Sequence, residues 1–585
     1  MPAPTQQQQT NDDLWLYLIL VLGAVVGVLT GTAYLATFIT SQTGPGVELS
    51  EMLAAIFRLP ANMSEPAAAF PEPARSRLPG PVGYWAIHGA VLTVASTVVI
   101  KVWIWSSRRG QGLDKRRRLD IEAQPRLANH GELKTERITR PTHGRFVYGR
   151  DGRHLLATHR HDNTSRHRKV PGALGLIGPS RSGKSLTAIT GTQLYPGPAI
   201  IASVKTDLIA PTIETRRQLG DVKIYDPSGL TTTASATWSP LHDARSFVEA
   251  QRAAGRLLAA VPADRSGSGK FWSQAGESLV GALLWLAANT PDLSMTDVAR
   301  WVMGLDQPTA EDPGKAAAYL RTLATTEGID PELVADVTTT LTGVWRSDDR
   351  LTGSFYASAR QAVKPWTREE VRNVSMTTTI DLDWLTSGDN TLYLAAPLMD
   401  QETLAPAFGA LVADLVDQVI LRHDQHRRPL EHELLLLVDE TANMPLAQLP
   451  DWTSTVAGYG IQLVTVWQSL SQIETAYGHD AANTIIANHH TLLFFPRIKD
   501  PATADYVART LGTEHQPGFV NHRATLLDTR DRESATGVSL VPAHVLRQMN
   551  DEDRLLIAGN LPPAQIKAIT KIPERWHEPG TNGES

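Results

Sequence analysis

The sequence predicts an α/β fold: a parallel sheet covered by helices, interrupted by an all-α insertion and preceded by two transmembrane helices. Three observations predict it. Gly178, Gly183, Lys184 and Ser185 stand at the spacing G-x-x-x-x-G-K-[ST], directly after the apolar run Ala173–Ile177. Six further short runs, Ala199–Val204, Val222–Tyr225, Thr391–Ala396, Leu434–Val438, Gln462–Val466 and Thr491–Phe495, are largely apolar at consecutive positions, as strands buried on both faces are. Leu14–Ile39 and Leu78–Ile100 hold 26 and 23 residues without a charge, each long enough to cross a bilayer.

Leu14–Ile39 exceeds the apolar core of a signal peptide, has no basic segment ahead of it and is followed by a second apolar run, so it reads as a span. The second span, taken as residues 82–105, carries Tyr84 and Trp85 near one end and Trp103 and Trp105 near the other, the aromatic belts of two interfaces. Lys101 snorkels outward, and His88 is expected to make helix contacts. Basic residues set the orientation. The Pro- and Ala-rich loop 40–81 holds Arg58, Arg75 and Arg77, whereas Arg108, Arg109, Lys115, Arg116, Arg117 and Arg118 crowd the exit of the second span. Residues 1–105 are therefore expected to be a two-pass anchor in the cell membrane, with the large C-terminal part in the cytoplasm.

Residues 101–170 hold 18 Lys/Arg against 7 Asp/Glu, which leaves −17 on the remainder of a chain of net charge −6. This basic segment suits anionic lipid and equally the phosphates of a nucleic acid. The chain has no cysteine, which excludes disulfides, thiolate zinc sites and a cysteine nucleophile.

Gly178, Pro179, Ser180, Arg181, Ser182, Gly183, Lys184 and Ser185 form the phosphate-binding loop. Its glycines let backbone N–H groups wrap phosphate oxygens, Lys184 neutralises their charge and the Ser185 hydroxyl reaches Mg²⁺. A helix opening at Ser185 adds its N-terminal dipole. The run Leu434–Val438 ends in Asp439 and Glu440, where a P-loop ATPase places its second acidic motif. Asp439 is expected to hold Mg²⁺ through water and Glu440 to orient and deprotonate the attacking water. Gln468, just past the run Gln462–Val466, is placed to sense the γ-phosphate. The expected ligands are ATP and Mg²⁺.

Between these motifs the pattern turns helical. Ser246–Val261, Phe271–Ala288, Thr296–Met303, Gly314–Thr325, Pro331–Trp345 and Phe355–Val363 are amphipathic or alanine-rich, with no strand-like run among them. Ser266–Lys270 reads as a flexible joint. The expected organisation is an anchor at 1–105, a nucleotide-binding domain at 106–240 and 376–572, an all-α insertion domain at 241–375 and a polar tail at 573–585.

Two spans, the loop Gly178–Ser185, Ser203–Leu208, Asp226-Pro227, Phe271-Trp272, Leu392–Pro397, Val438–Asn443 and Gln468–Gln472, in this order, resemble TraG/TraD-type type IV coupling proteins of the FtsK/HerA-like superfamily. The resemblance runs from residue 14 to about 570. It implies a RecA-like P-loop NTPase, assembled as a homo-hexameric ring at the inner membrane, that receives a relaxase-bound DNA strand and feeds it to a type IV secretion channel. No base-reading motif is visible, so DNA contact is expected to be independent of sequence. No DNA-reading module follows residue 570, unlike FtsK-like chromosome translocases. Two alternatives stay open: a membrane-bound translocase of protein or double-stranded DNA, and a nucleotide-binding adaptor that recruits substrates. Many relatives carry a finger arginine where this chain has Thr455–Ile461 without one. Arg360, Arg372 and Arg497 are the candidates for its replacement.

Overall fold

A computed structural model describes residues 23, 26–109, 117–119, 121–122, 124–163, 168–203, 206–261, 269–426, 430–444, 446–517 and 535–573. The chain divides into two compact units, Met1–Gln124 and Pro125–Ser585.

In the first unit, helix Val26–Ser41 is the described part of the first expected span, of which residues 14–22, 24 and 25 lie outside the description. Helix α1, Pro81–Arg109, contains the second. The most apolar window of Pro81–Lys101 has mean hydropathy 1.5, and only 6% of it is buried within the protein, as expected of a surface that meets lipid. His88 Nδ1 lies 3.0 Å from Thr32 Oγ1 and its ring stands edge-on to Trp85, so this histidine does make a helix contact. The segment between the spans is more ordered than its composition suggests. Leu49–Arg58 is a helix whose Met52, Ala55 and Ile56 are buried, together with Leu59, at the i, i+3, i+4, i+7 spacing of one helical face.

In the second unit the main sheet has twelve described strands: β1 (Arg137–Ile138), β2 (Val147–Asp151), β3 (His154–Ala157), β4 (Leu174–Ile177), β5 (Ala199–Ser203), β6 (Val222–Tyr225), β7 (Thr391–Ala395), β8 (Leu434–Val438), β9 (Ile461–Trp467), β10 (Thr491–Phe494), β11 (Asp553–Ala558) and β12 (Ala564–Lys567). Their spatial order is β6-β7-β5-β8-β9-β4-β10-β11-β12-β2-β3-β1. The seven from β6 to β10 are parallel and correspond to the seven apolar runs. The remaining five pair antiparallel and extend one edge.

Alternate residues of the parallel strands serve opposite faces. Leu434, Leu436 and Val438 join one cluster with the helical region. Leu435 and Leu437 join another with Ala188 and Phe146, under helix α2 (Lys184–Leu194), which follows β4. On the first face, helices α3 (Phe247–Ala259), α4 (Gly269–Asn289) and α5 (Asp349–Val363), with Met295–Met303, Lys315–Leu323 and Pro331–Trp345 between them and the short helices Glu369–Asn373 and Leu382–Thr386 after them, lie between β6 and β7 in the chain. Ser246 Oγ caps α3 by accepting the Glu249 N–H, and Ser294 with Asp297 forms a capping box ahead of Met295; each cap satisfies an otherwise unpaired first-turn donor. The expected joint at Ser266–Lys270 is only partly covered: residues 266–268 lie outside the description, and Gly269 and Lys270 already belong to α4. The tail from residue 574 also lies outside it.

Helix α6, Gln401–His426, carries these helices on the sheet. Its window of mean hydropathy 1.7 exceeds that of α1, but 78% of it is buried, so it is a core helix. Arg256 of α3 reaches Asp414 at 2.9 Å and Asp417 at 3.1 Å on α6. Asp414, with a side chain 7% exposed, would be an uncompensated buried charge without that arginine.

Candidate functional site

The parallel strands all end at one edge, and the motifs meet there. The β9 strand runs between β8 and β4, with Thr465 opposite Val438 and Trp467 opposite Ile177. The acidic pair after β8, Gln468 after β9 and the loop after β4 therefore leave the sheet side by side. Gly178 N–H donates to the Trp467 carbonyl at 3.1 Å, and Thr441 N–H to the Val466 carbonyl at 3.2 Å. Trp467 Nε1 donates to Thr465 Oγ1, itself paired with the buried His489.

The loop fits closely over the sheet. A Cβ on Gly178 would stand 2.5 Å from Phe495 Cβ and 2.9 Å from Ser182 Oγ. Gly183 has φ +98° and is the N-cap of α2; a Cβ there would lie 2.5 Å from an Arg554 nitrogen. Both positions thus require glycine. Ser182 Oγ is buried without a hydrogen-bond partner among the described residues, an uncommon state for a buried hydroxyl. Lys184 Nζ donates to the Pro179 carbonyl at 2.8 Å. Ser185 and Arg181 are exposed.

The charges are coupled. Burial lowers the Lys184 ammonium from 10.5 to about 8, against the opposing pull of Asp439 and Glu440. Burial, seconded by Glu440, raises the Asp439 carboxyl to about 6. Asp439 accepts from Ser203 Oγ at 3.4 Å and from the Glu440 N–H at 3.1 Å. Glu440 has φ +48°, an uncommon conformation for a residue with a side chain, and its carboxylate accepts from Asn443 Nδ2 at 2.9 Å. Gln468 is exposed, its N–H donating to Gln472 Oε1.

Two arginines lie against the loop, of which only Arg497 was named from the sequence, and in another role. Arg554 of β11 is 1% exposed; its Nη1 donates to the Asp551 and Asp553 carbonyls at 2.7 Å, and its guanidinium lies 4.5 Å from the Phe495 ring centre. Arg497 had been singled out only as a possible finger toward a neighbouring subunit. It donates to the carbonyl of Arg181 in the loop Gly178–Ser185 and pairs with Asp551 at 2.6 Å. Arg360 is likewise engaged, capping the Val302 and Met303 carbonyls, and Arg372 donates to the Thr367 carbonyl.

A second polar cluster, His143, Asp389 and His432, has ligand atoms within 4.8 Å of one another. Asp389 and His432 precede β7 and β8, so the cluster stands at the opposite edge of the sheet from the loop. Its imidazoles stack 3.9 Å apart at 27°, which sets their in-plane lone pairs side by side rather than converging on a cation.

The model of a family described as type IV secretory system conjugative DNA transfer matches residues 123–570. The chain belongs to that family. Among curated relatives, the probable conjugal transfer protein TraG of Sinorhizobium fredii (strain NBRC 101917 / NGR234) is 26% identical over 199 residues, 33% of this chain and 30% of the relative. The conjugal transfer protein TraG of Rhizobium radiobacter is 27% identical over 191 residues, 32% and 29% respectively. The match therefore spans less than a third of the length of these relatives. Among solved structures, unbound bacterial conjugative coupling protein TrwBdeltaN70 has TM-score 0.56 at 18% identity, covering 78% of this chain and 95% of the other. Plasmid coupling protein TrwB in complex with ADP and Mg²⁺ has TM-score 0.56 at 18% identity, covering 77% and 94%. The α/β fold with its helical region is shared with TrwB.

Proposed function

We propose that this chain is a membrane-anchored ATPase that couples a relaxase-bound DNA strand to a type IV secretion channel and drives its transfer. The observation that carries the proposal is the convergence of Lys184, Asp439 and Glu440 at one sheet edge, where Lys184 feels both carboxylates and Asp439 feels Glu440 and Lys184. An orphaned Ser182 hydroxyl and two glycine positions with no room for a Cβ make a cradle that suits phosphate oxygens. Family membership and the TrwB complex with ADP and Mg²⁺ support the same reading.

In this mechanism backbone N–H groups of residues 180–185 and Lys184 bind the β- and γ-phosphates of ATP. Ser185 and Asp439 would hold Mg²⁺, which when bound neutralises charge on the phosphate oxygens. Glu440, oriented by Asn443, takes the proton of the attacking water, and Gln468 reports on the γ-phosphate from the strand between the two motifs. Arg497 steadies the loop in cis. The anchor is two-pass with the second unit cytoplasmic, and the subunits form a homo-hexameric ring. DNA is held through its phosphates; each neutralised phosphate contributes roughly 0.7 to the log–log salt dependence for single strands.

The test is ATP turnover by the full chain in detergent, with and without single-stranded DNA, for the wild type and Glu440→Gln. Turnover stimulated by DNA, with the variant binding ATP but not hydrolysing it, is the expected outcome. Equal turnover in both proteins rules out the assignment of Glu440. Absence of any turnover leaves a nucleotide-binding adaptor.

A further inference from the structure

The helix Leu49–Arg58 and the 3₁₀ turn Leu59–Asn62 that continues it carry two apolar faces. From Met52, at about 100° per residue through the helix and about 120° through the turn, Ala55, Ile56 and Leu59 fall within about 60°, and all four are buried. Leu53, Pro60 and Met63 fall at about 100° and Phe57 at about 140°, with Glu51 and Arg58 on the far side at about 240–260°. On this second face Phe57 is 74% exposed and Met63 61%. We propose that the second face is seated in the lipid interface beside α1, with Phe57 and Met63 at the boundary between headgroups and acyl chains; the proposal rests on the reading of α1 as a membrane span.

Height is the first argument. Trp85 Nε1 donates to the Met63 carbonyl at 3.0 Å. Trp85 lies four residues, about 6 Å, into α1, at the end where aromatic residues mark the headgroup level, so its bond holds Met63 at that level. The tryptophan is itself fixed: its ring stands edge-on to Tyr84, which is wholly buried and packs on Phe70.

Continuity is the second. Val82, in the first turn of α1, is 86% exposed, and only 6% of the most apolar window of Pro81–Lys101 is buried within the protein. The lipid that covers this surface meets the face of Phe57 and Met63 where Met63 joins α1. Charge is the third. Between residues 42 and 80, Glu48, Glu51, Glu65 and Glu72 stand against Arg58, Arg75 and Arg77, too even a balance for attraction to anionic headgroups, so apolar burial is the adhesive. Seated in this way, the segment sets the height and tilt of α1 in the bilayer.

The chain has no cysteine, so Glu51→Cys, Phe57→Cys, Met63→Cys and Val94→Cys each place a single nitroxide label on the full chain, at positions that are all exposed. In nanodiscs of phosphatidylcholine alone, accessibility to oxygen, which concentrates in lipid, and to a water-soluble nickel chelate reads the depth of each label. Labels at 57 and 63 should favour oxygen and lie about 5–10 Å below the headgroup surface. The label at 51 should favour the nickel chelate, and the label at 94, midway along α1, should favour oxygen most strongly. Nickel-accessible labels at either 57 or 63, with 94 in lipid, overturn the seat and leave the span standing. Exclusion of both reagents at 57 or 63 means that a second copy or another protein surface covers the face, and equally overturns it. A label at 94 open to nickel overturns the span itself.

Discussion

Replacing Lys184 by Met should stabilise the ligand-free protein while destroying its phosphate site. Burial depresses the Lys184 ammonium to about 8 from 10.5. The unfolded chain therefore holds this proton more tightly than the folded one. Below about pH 8 the folded state bears the whole cost of the buried cation, and the cost fades as pH climbs from about 8 to 10.5. A shift of this size corresponds to about 3 kcal/mol at neutral pH. Methionine keeps the length of the side chain but loses the bond to the Pro179 carbonyl, about 1 kcal/mol, so the net gain is about 2 kcal/mol. A melting entropy of about 2.1 cal/mol/K per residue, over the roughly 460 residues of the second unit, turns this into a rise of about 2 °C. Thermal melting of the full chain in detergent without nucleotide, at pH 7 and pH 10.5, measures it. A lower melting temperature for Lys184→Met at pH 7, or a difference that does not shrink toward pH 10.5, refutes the reasoning.

Asp439, raised to about 6 by burial and by Glu440, loses its negative charge as pH falls through that value. Mg²⁺-dependent ATP affinity should therefore decline below pH 6, a slope that titrations of Asp439→Asn should lack. Arg554→Met leaves the Asp551 and Asp553 carbonyls without their shared donor and opens the space behind Gly183, so the KM for ATP should rise, as steady-state kinetics would measure. Arg497 serves the loop of its own chain, so mixing Arg497→Ala with Lys184→Ala protein should restore no ATPase activity. Substantial rescue in such mixed assemblies would show that Arg497 acts on a neighbour.

The parallel half of the sheet was legible because strands covered on both faces are apolar at most consecutive positions, which sets them apart from half-buried strands and amphipathic helices. The antiparallel extension was not. Val147–Asp151 and His154–Ala157 are short and interrupted by charges, although Asp151-Gly152 between them, with Gly152 at φ +58°, is a turn signal that the composition-led reading passed over. That Lys184, Asp439, Glu440 and Gln468 stand at one edge of the sheet was readable because each follows a recognisable strand. Arg497, 316 residues from the Arg181 carbonyl that it holds, and Arg554, behind Gly183, have no local signature; only folding brings them to the loop. The helix Leu49–Arg58 did have one, an amphipathic stripe hidden by the proline and alanine around it.

Helix α6 has a consequence for how the chain is made. As it leaves the ribosome, its apolar window rivals that of Pro81–Lys101. Hydropathy alone would send α6 into the bilayer and invert everything after it. Asp414 and Asp417 stand in the middle third of that helix, where an aspartate costs about 2.5–3.5 kcal/mol on the insertion scale. The same two carboxylates later receive Arg256. Two such carboxylates would oppose insertion of α6 during synthesis, before the helical region docks and Arg256 reaches them.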